Sequence, residues 1–476
     1  MHELLLRPAR EVVGLLAKRE VRPAELVELA LARIAEADPA VNAVPTLCPE
    51  RAMDHARAIE AAPPPDDDRR GWLGGLPVVI KDMVDVAGAR TTYGSPIFRD
   101  HVPATSAYEA ERLEARGAVV VGKSNTPEFA AGANTFNEVF GATRNPWDTA
   151  LTCGGSSGGA AVALATGMAW LADGSDLGGS LRTPASFCGV VGLRPSPGRV
   201  AHGPAASPFQ TLGVAGPMAR DVRDAALMLD AQAGLDPRDP LSVEAPAHRS
   251  FAEAADRPVT LRKVAFSADL GGITPVDAEV AAICRRAALR FRELGAEVEE
   301  ACPDLSRATE VFTTLRAAGF VTARAPLLER HRDRLKPEVA WNIERGLRLT
   351  AGEIGLAERE RGGMQRRTAA FLADRDLLCC PAAIVPPFPV ERRHVEELNG
   401  RRFPSYIDWV AISYAITLTG CPSLSLPCGF TEAGLPVGLQ IVGPPRGEAG
   451  LLAASAMLED LLGLAGRVPV EPRVTH

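Results

Sequence analysis

Lysine is the scarcest charged residue in this chain. Of 52 lysines and arginines only five are lysine: Lys18, Lys81, Lys123, Lys263 and Lys336. Arginine cannot release its proton inside a protein, whereas a buried lysine can. A sequence that writes arginine nearly everywhere should therefore keep lysine where a neutral amine is needed. Lys18, Lys263 and Lys336 read as chance survivals, but Lys81 and Lys123 stand in or beside apolar runs near glycine motifs and do not. Other absences exclude whole classes. With a formal net charge of −7 there is no basic excess to meet phosphates, so no nucleic-acid partner is expected. No charge-free apolar run reaches the ~18 residues of a membrane span, and the first residues lack the basic and apolar regions of a signal peptide. Nine irregularly spaced cysteines, with no C-x-x-C pair, argue against zinc. They point to reduced thiols in a cytoplasmic protein.

What remains is a foldable chain of 476 residues, 46% apolar and 23% charged. Residues 10–60 carry apolar positions at helical spacing, and the Pro/Asp stretch at 63–68 reads as a surface loop. Val78-Val79-Ile80 is a short buried strand. A helix at 109–116 closes at Gly117, then Ala118–Gly122 forms a strand before a turn holding Lys123 and Asn125. Residues 160–172 are apolar all round and predict a helix buried on every side. The glycine-rich run at 174–180 reads as irregular, and 185–193 as an apolar strand-like run. The segment 264–298 has a βαβ pattern, 305–375 is mostly helical, and strands recur near 377–381, 422–427 and 438–443. The alternation implies an α/β layer architecture without a linker at which to cut the chain.

Two glycine-rich runs hold the chemistry: Gly154-Gly155-Ser156-Ser157-Gly158-Gly159, and Gly174-Ser175-Asp176-Leu177-Gly178-Gly179-Ser180. The first satisfies G-x-S-x-G, but the strand that a nucleophile elbow needs directly before the serine is replaced by loop residues 145–149. No Gly-Lys-Ser/Thr follows the glycines, so a phosphate loop is excluded. None of the eight histidines lies in a motif that suggests a base. Serine, serine and lysine are left. A serine hydroxyl needs a base to take its proton, and a lysine delivered out of the apolar run 78–80 can be neutral at pH 7. Bare backbone N–H groups around Ser180 suit a developing oxyanion.

These residues closely resemble the amidase signature family. Beyond the two runs, Leu181-Arg182-Thr183-Pro184-Ala185, Cys188-Gly189-Val190-Val191-Gly192-Leu193-Arg194-Pro195, Gly122–Phe129 and Gly434–Gln440 follow its pattern. The likeness runs from about 10 to 460 and weakens across 240–400. The resemblance implies a single large mixed, many-stranded sheet covered by helices on both faces. It also implies one domain over 1–476: an N-terminal helical part to about 65, a signature core at 70–240, a variable substrate region at 300–410 and C-terminal strands and helix at 411–465. Ser180 would be the nucleophile, Ser156 the bridging serine after a cis peptide bond from Gly155, and Lys81 the base. Backbone N–H groups of Leu177, Gly178, Gly179 and Ser180 would hold the oxyanion. Ser157, Ser175, Asp176 and Arg182 would support the triad from behind. Asn125, Tyr406, Asp408 and Trp409 are candidates for the substrate pocket, with core packing as the competing reading for the aromatics. No metal or organic cofactor is implied. The expected activity is hydrolysis of a small-molecule amide, with esterase side activity, in a cytoplasmic protein that forms a homodimer by family habit.

A rival lies inside the same family: the amidase-like component of a glutamine-dependent tRNA amidotransferase. That component carries paired arginines after Glu-Val, whereas Glu338-Val339 is followed here by Ala340-Trp341-Asn342. Its acid before the C-terminal Gly-x-Pro corresponds here only to Asp408, displaced by two positions. Both departures favour a free-standing amidase. A non-catalytic relative is disfavoured because all three triad residues are present.

Overall fold

Eleven strands form one mixed sheet among the described residues, which are 1–62 and 69–475 of this computed structural model. The loop expected at 63–68 lies outside the described residues. In chain order the strands are β1 (Thr46–Leu47), β2 (Pro77–Lys81), β3 (Val119–Ser124), β4 (Leu171–Asp176), β5 (Val191–Arg194), β6 (Val214–Ala219), β7 (Lys263–Phe266), β8 (Glu297–Glu300), β9 (Leu377–Pro381), β10 (Ser423–Phe430) and β11 (Pro436–Val442). Their spatial order is β1-β3-β2-β4-β6-β5-β10-β11-β9-β7-β8. Strand β2 runs parallel to both neighbours, and Lys81 pairs in register with Ser124. From β4 to β9 the neighbours are antiparallel, and β9, β7 and β8 are parallel.

Strands such as β2, β9 and β11 read as nearly unbroken apolar runs because both faces of the sheet are covered there. Val78 and Ile80 enter one core cluster with Leu171, Leu424 and Ile441, while Val79 enters another with Val119, Val121 and Ala172. Alternate residues of a strand point to opposite faces, so these are two layers. Further along the sheet, Leu378 and Cys380 join Phe312, Trp409 and Tyr414 in a third cluster. Six helices matter below: α1 (Ala9–Ala17), α2 (Gly158–Ala165), α3 (Arg182–Cys188), α4 (Ala308–His331), α5 (Pro337–Leu347) and α6 (Ala411–Thr419).

Four local expectations change. The helix expected to run to Ala172 stops at Ala165, although all eight residues of α2 are buried as predicted. Gly167 takes φ +74°, and the Met168 N–H reaches back to the Ala163 carbonyl at 2.8 Å, closing the helix. The chain is then free to enter β4, so the run read as irregular begins as a strand. Nor is 185–193 a single strand. Helix α3 ends at Gly189, whose φ is +71°, and only then does β5 begin. Lys123 lies inside β3 and not in a turn.

Glycine at the start of α2 is required by close approach. A Cβ on Gly159 would lie 2.3 Å from the Asn125 backbone nitrogen and 2.5 Å from the Ala43 carbonyl oxygen. Gly14, inside α1, has open space around it. Gly159→Ala should therefore destabilise the fold by about 1–3 kcal/mol or more. Gly14→Ala should stabilise it by up to about 1 kcal/mol through helix propensity. Urea denaturation midpoints of the two variants should move in opposite directions, and an unchanged midpoint for Gly159→Ala would contradict the packing described.

Candidate active site

Lys81 ends β2 with no exposed surface. Its Nζ lies 2.7 Å from Ser156 Oγ, 2.9 Å from Ser157 Oγ and 3.0 Å from Ser175 Oγ. No carboxylate lies within ion-pair distance of it among the described residues. Burial pulls its pKa down to about 7, against the weaker opposing influence of Asp173 and Asp176. A neutral amine has two N–H groups and one lone pair, so three hydroxyl neighbours suit it when one of them donates to the nitrogen. The peptide bond between Gly155 and Ser156 is cis. Ser156 and Ser157 are fully buried. The Ser157 N–H donates to the Ser180 carbonyl at 3.1 Å, tying the first glycine run to the second.

Ser180 differs from its partners in being partly exposed. Its hydroxyl has no hydrogen-bond partner among the described residues, so its oxygen is the group of the three that faces open space. The loop that carries it hangs on Asp176, a fully buried carboxylate. One oxygen, Oδ1, accepts from Gly179 N at 3.0 Å and Arg182 Nη2 at 2.8 Å. The other, Oδ2, accepts from Leu181 N at 3.1 Å and Arg182 Nε at 3.0 Å. Arg194 Nη1 adds a contact at 3.2 Å. Burial works against ionisation here, but the Arg182 and Arg194 guanidiniums hold the carboxyl far below the usual carboxylate range. Of the four backbone groups expected to face an oxyanion, Gly179 N–H is thus already committed. Those of Leu177, Gly178 and Ser180 have no acceptor among the described residues. Gly178 and Gly179 are glycine for want of room: a Cβ would lie 2.9 Å from Phe312 Cζ and 2.6 Å from Ser413 Cβ respectively.

The expected pocket residues are placed less uniformly. Asn125 is fully buried and its amide is used up. Nδ2 donates to Thr143 Oγ1 at 2.9 Å, and Oδ1 accepts from Thr126 N at 3.0 Å and Asn137 Nδ2 at 2.7 Å. Trp409 is core, 1% exposed and packed edge-on to Phe388. Asp408 is buried but lines a cavity of about 460 Å³ with Thr309, Thr313, Trp341 and Arg345, and its Oδ2 accepts from Ser405 N at 2.8 Å. Tyr406 remains partly exposed, its hydroxyl accepting from Asn342 Nδ2 at 2.6 Å. Lys123 is buried away from these serines, its amine donating to the Val84 carbonyl and to Thr91 Oγ1.

Sequence reasoning missed two features. Asp173, on β4, is fully buried with Gln232 Nε2 on Oδ1 at 3.0 Å and no partner on Oδ2. Burial, reinforced by Glu109, pushes its pKa up to about 8, so it is protonated at neutral pH. The second is the roof over the loop, where Phe312 stacks on Tyr414 with centroids 4.2 Å apart. An acid directly before Gly174, at the start of the second glycine run, could have flagged the first. Of the second, Tyr414 reads from the sequence as one of several aromatics able to line an apolar pocket, but nothing in the sequence marks Phe312.

Removing the charge of Asp176 leaves two guanidiniums buried without their counter-ion. Asp176→Asn, though isosteric, should cost about 3–5 kcal/mol and release the Ser180 loop. The expected result is a lowered urea midpoint together with lost turnover, and wild-type values for both would refute the role given to this carboxylate.

The Amidase family profile matches residues 25–452. The chain is 34% identical to an acylamidase of Rhodococcus erythropolis over 473 residues, covering 98% of each chain. It is 36% identical over 482 residues to a component of the glutamyl-tRNA(Gln) amidotransferase of Moorella thermoacetica, covering 96% of this chain and 97% of that one. Among solved structures, a bacterial aryl acylamidase of the amidase signature enzymes superposes with a TM-score of 0.88 at 27% identity, covering 98% of this chain and 99% of that one. Likeness of this length, joined to the buried amine and the two serine-bearing glycine runs, places the chain in the amidase signature family.

Proposed function

We propose that this chain hydrolyses linear amides through an acyl-enzyme on Ser180. Amide hydrolysis is the activity that the acylamidase and aryl acylamidase relatives carry in their names. In the proposed reaction Ser180 Oγ attacks the amide carbonyl carbon. Its proton passes to Ser156 Oγ while the proton of Ser156 passes to neutral Lys81 Nζ. Leu177, Gly178 and Ser180 N–H groups receive the carbonyl oxygen as it becomes anionic. The C–N bond then breaks as Lys81 returns a proton through Ser156 to the leaving nitrogen. Water, deprotonated along the same path, releases the carboxylate and restores Ser180. The Ser180–Ser156 hydrogen bond forms on substrate binding, as catalytic hydrogen bonds commonly do. The observation that carries this reading is the 2.7 Å contact of Lys81 Nζ with Ser156 Oγ, both side chains fully buried.

A role as an amidotransferase component is supported by the 36% identity to the Moorella thermoacetica protein. It is weakened at the positions where such a component grips glutamine. Ala340-Trp341-Asn342 stand where paired arginines are expected, Asn342 is bound to Tyr406, and Asp408 caps its own loop. One domain over 1–476, with substrate-shaping residues at 300–410, completes the proposal; the single sheet draws strands from Thr46 through Val442. Esterase side activity, a homodimer and a cytoplasmic location without nucleic acid belong to it too, the last in keeping with the net charge of −7. No helix of the described residues is long and apolar enough to cross a membrane.

The purified chain alone should release amine or ammonia from simple aliphatic and aryl amides. Turnover of glutamine only, or only with added partner proteins, would favour the amidotransferase role. Ser180→Ala and Lys81→Ala should each lower kcat by at least about 10³-fold. Lys81→Arg should be no better, because a guanidinium stays charged. Lys81 is protonated, and so useless as a base, below its pKa of about 7. The rate should therefore rise with pH through that value and level off above it, and a flat profile from pH 5 to 9 would rule out Lys81 as the base.

A further inference from the structure

Arg316 lies on α4 one turn beyond Phe312, the residue whose ring abuts Gly178 in the Ser180 loop. It is only 5% exposed, yet no carboxylate stands within ion-pair distance of it among the described residues. Its Nη1 donates to the side-chain oxygen of Asn342. The guanidinium also hydrogen-bonds the Tyr406 hydroxyl and lies over aromatic faces, 4.7 Å from the centre of the Phe320 ring and 5.4 Å from that of Tyr406. The acids nearby are already taken. Glu338 receives Arg393 Nη2 on both oxygens, at 2.7 and 2.8 Å, and Lys336 Nζ lies 4.0 Å away. Glu128 accepts from Ser95 Oγ and from the Lys336 N–H.

What the cluster leaves over is donors. A guanidinium cannot become neutral, and a buried cation without an anion is costly. The Tyr406 oxygen accepts from Asn342, so its own proton is the one it can give. Lys336, read from the sequence as a chance survival, has a buried side chain whose amine donates to the Ala131 carbonyl at 3.0 Å. The place of this cluster beside the reaction centre follows from two elements. Helix α4 carries Phe312 onto the oxyanion loop and Arg316 beyond it. The segment 131–135 meets Gly155 at the Asn134 backbone nitrogen, 2.9 Å from where a Gly155 Cβ would lie. It also brings Gly132 within 4.0 Å of Tyr406 Cε2 and 3.7 Å of Lys336 Nζ by the same construction.

We propose that Arg316, together with the Tyr406 hydroxyl, receives a carboxylate carried by the substrate, so that the preferred substrates are amides bearing an anionic group. Planar carboxylates match the guanidinium fork bidentately, and such charge-assisted pairs are the strong ones. The proposal rests on the amidase reading above and adds a substrate class to it. Arg316 acts on binding and specificity and takes no part in bond making.

Two substrate series separate the ways a carboxylate can be carried. Monoamides of dicarboxylic acids, from succinamate to adipamate, place it on the acyl side, and N-acetyl ω-amino acids place it on the leaving side. Neutral amides of matched length are the reference. In the wild-type protein one anionic series should exceed the reference at least tenfold in kcat/KM, mostly through KM. Arg316→Gln should lower that ratio at least tenfold, with Arg316→Lys retaining part of it and Tyr406→Phe lowering it less. Neutral amides hydrolysed as well as both anionic series, or a ratio unchanged by Arg316→Gln, would overturn the proposal. Should Arg316→Gln not fold, the wild-type ratio and the Arg316→Lys variant decide in the same way. Failure to hydrolyse any amide above the Ser180→Ala level would instead sink the amidase reading itself.

Discussion

An amine that must be buried without a counter-ion is the constraint from which the site follows. Lys81 leaves an apolar strand and meets only hydroxyls, those of Ser156, Ser157 and Ser175. Hydroxyls satisfy a neutral amine without stabilising its ammonium form as a carboxylate would, which keeps the nitrogen basic at neutral pH. Three serines, two from the first glycine run and one from β4, must then converge on one atom. Convergence explains the glycines better than any role as oxyanion donors. A Cβ on Gly158 would lie 2.3 Å from Thr135 Oγ1, and one on Gly174 would lie 2.6 Å from Leu181 Cδ2 and 2.9 Å from Ser157 Oγ. The first glycine run is bare so that α2 can start against segments 125 and 134–135, and the second so that β4 can pass close to Ser157.

Two carboxyls on β4 would undo this arrangement if either were free to pair with the amine. Asp173 and Asp176 are both fully buried, yet their surroundings push them to opposite protonation states. Asp173 has one amide donor and no cation in contact, so burial keeps it protonated. Asp176 has two guanidiniums and two backbone N–H groups, so it is ionised, and its charge is spent on them. Neither offers Lys81 a full negative charge. The arginines at 182 and 194 thus serve the base at a distance, by occupying the acid that could have neutralised it. Arg182 also reaches Ser413 O at 2.8 Å and Thr417 Oγ1 at 3.0 Å, so the same ion cluster fastens α6 to the catalytic loop.

Much of this was legible in the sequence, for a physical reason. Glycine, serine and lysine in fixed order are demanded by backbone approach and acid–base chemistry, and neither tolerates many substitutes. Buried strands were readable as apolar runs, as at Val78–Ile80 and Leu439–Val442. Boundaries were not: α2 ends at a left-handed Gly167 whose neighbours are as apolar as the helix, and no change of composition announces β4. Pocket residues were harder still, because residue type does not say which way a side chain faces. Asn125 and Trp409 have the right chemistry for a pocket, but hydrogen bonds within the loop at 125–143 consume the one and the third core cluster absorbs the other. Arg316 was invisible for a different reason. Among so many scattered arginines, a buried one that stands without an acid can be recognised only when its neighbour Glu338 is seen to be taken by Arg393, 55 residues away in sequence.

The commitment of Gly179 N–H to Asp176 at first looks like the loss of an oxyanion donor. Its effect is the reverse. Donors help a reaction to the extent that they already point where charge will develop and need no reorganisation to do so. A loop of glycines has no such fixity of its own, since each glycine adds backbone freedom. Anchoring Gly179 and Leu181 to the two oxygens of one carboxylate fixes the 178–179 and 180–181 peptide planes that bracket the Ser180 segment. That carboxylate is itself held by a bidentate arginine. Leu177, Gly178 and Ser180 are then left with N–H groups that are free of acceptors and held in place by the same carboxylate. One donor is given up to orient three, and the flexibility that lets the glycines converge on Lys81 is removed where the chemistry needs rigidity.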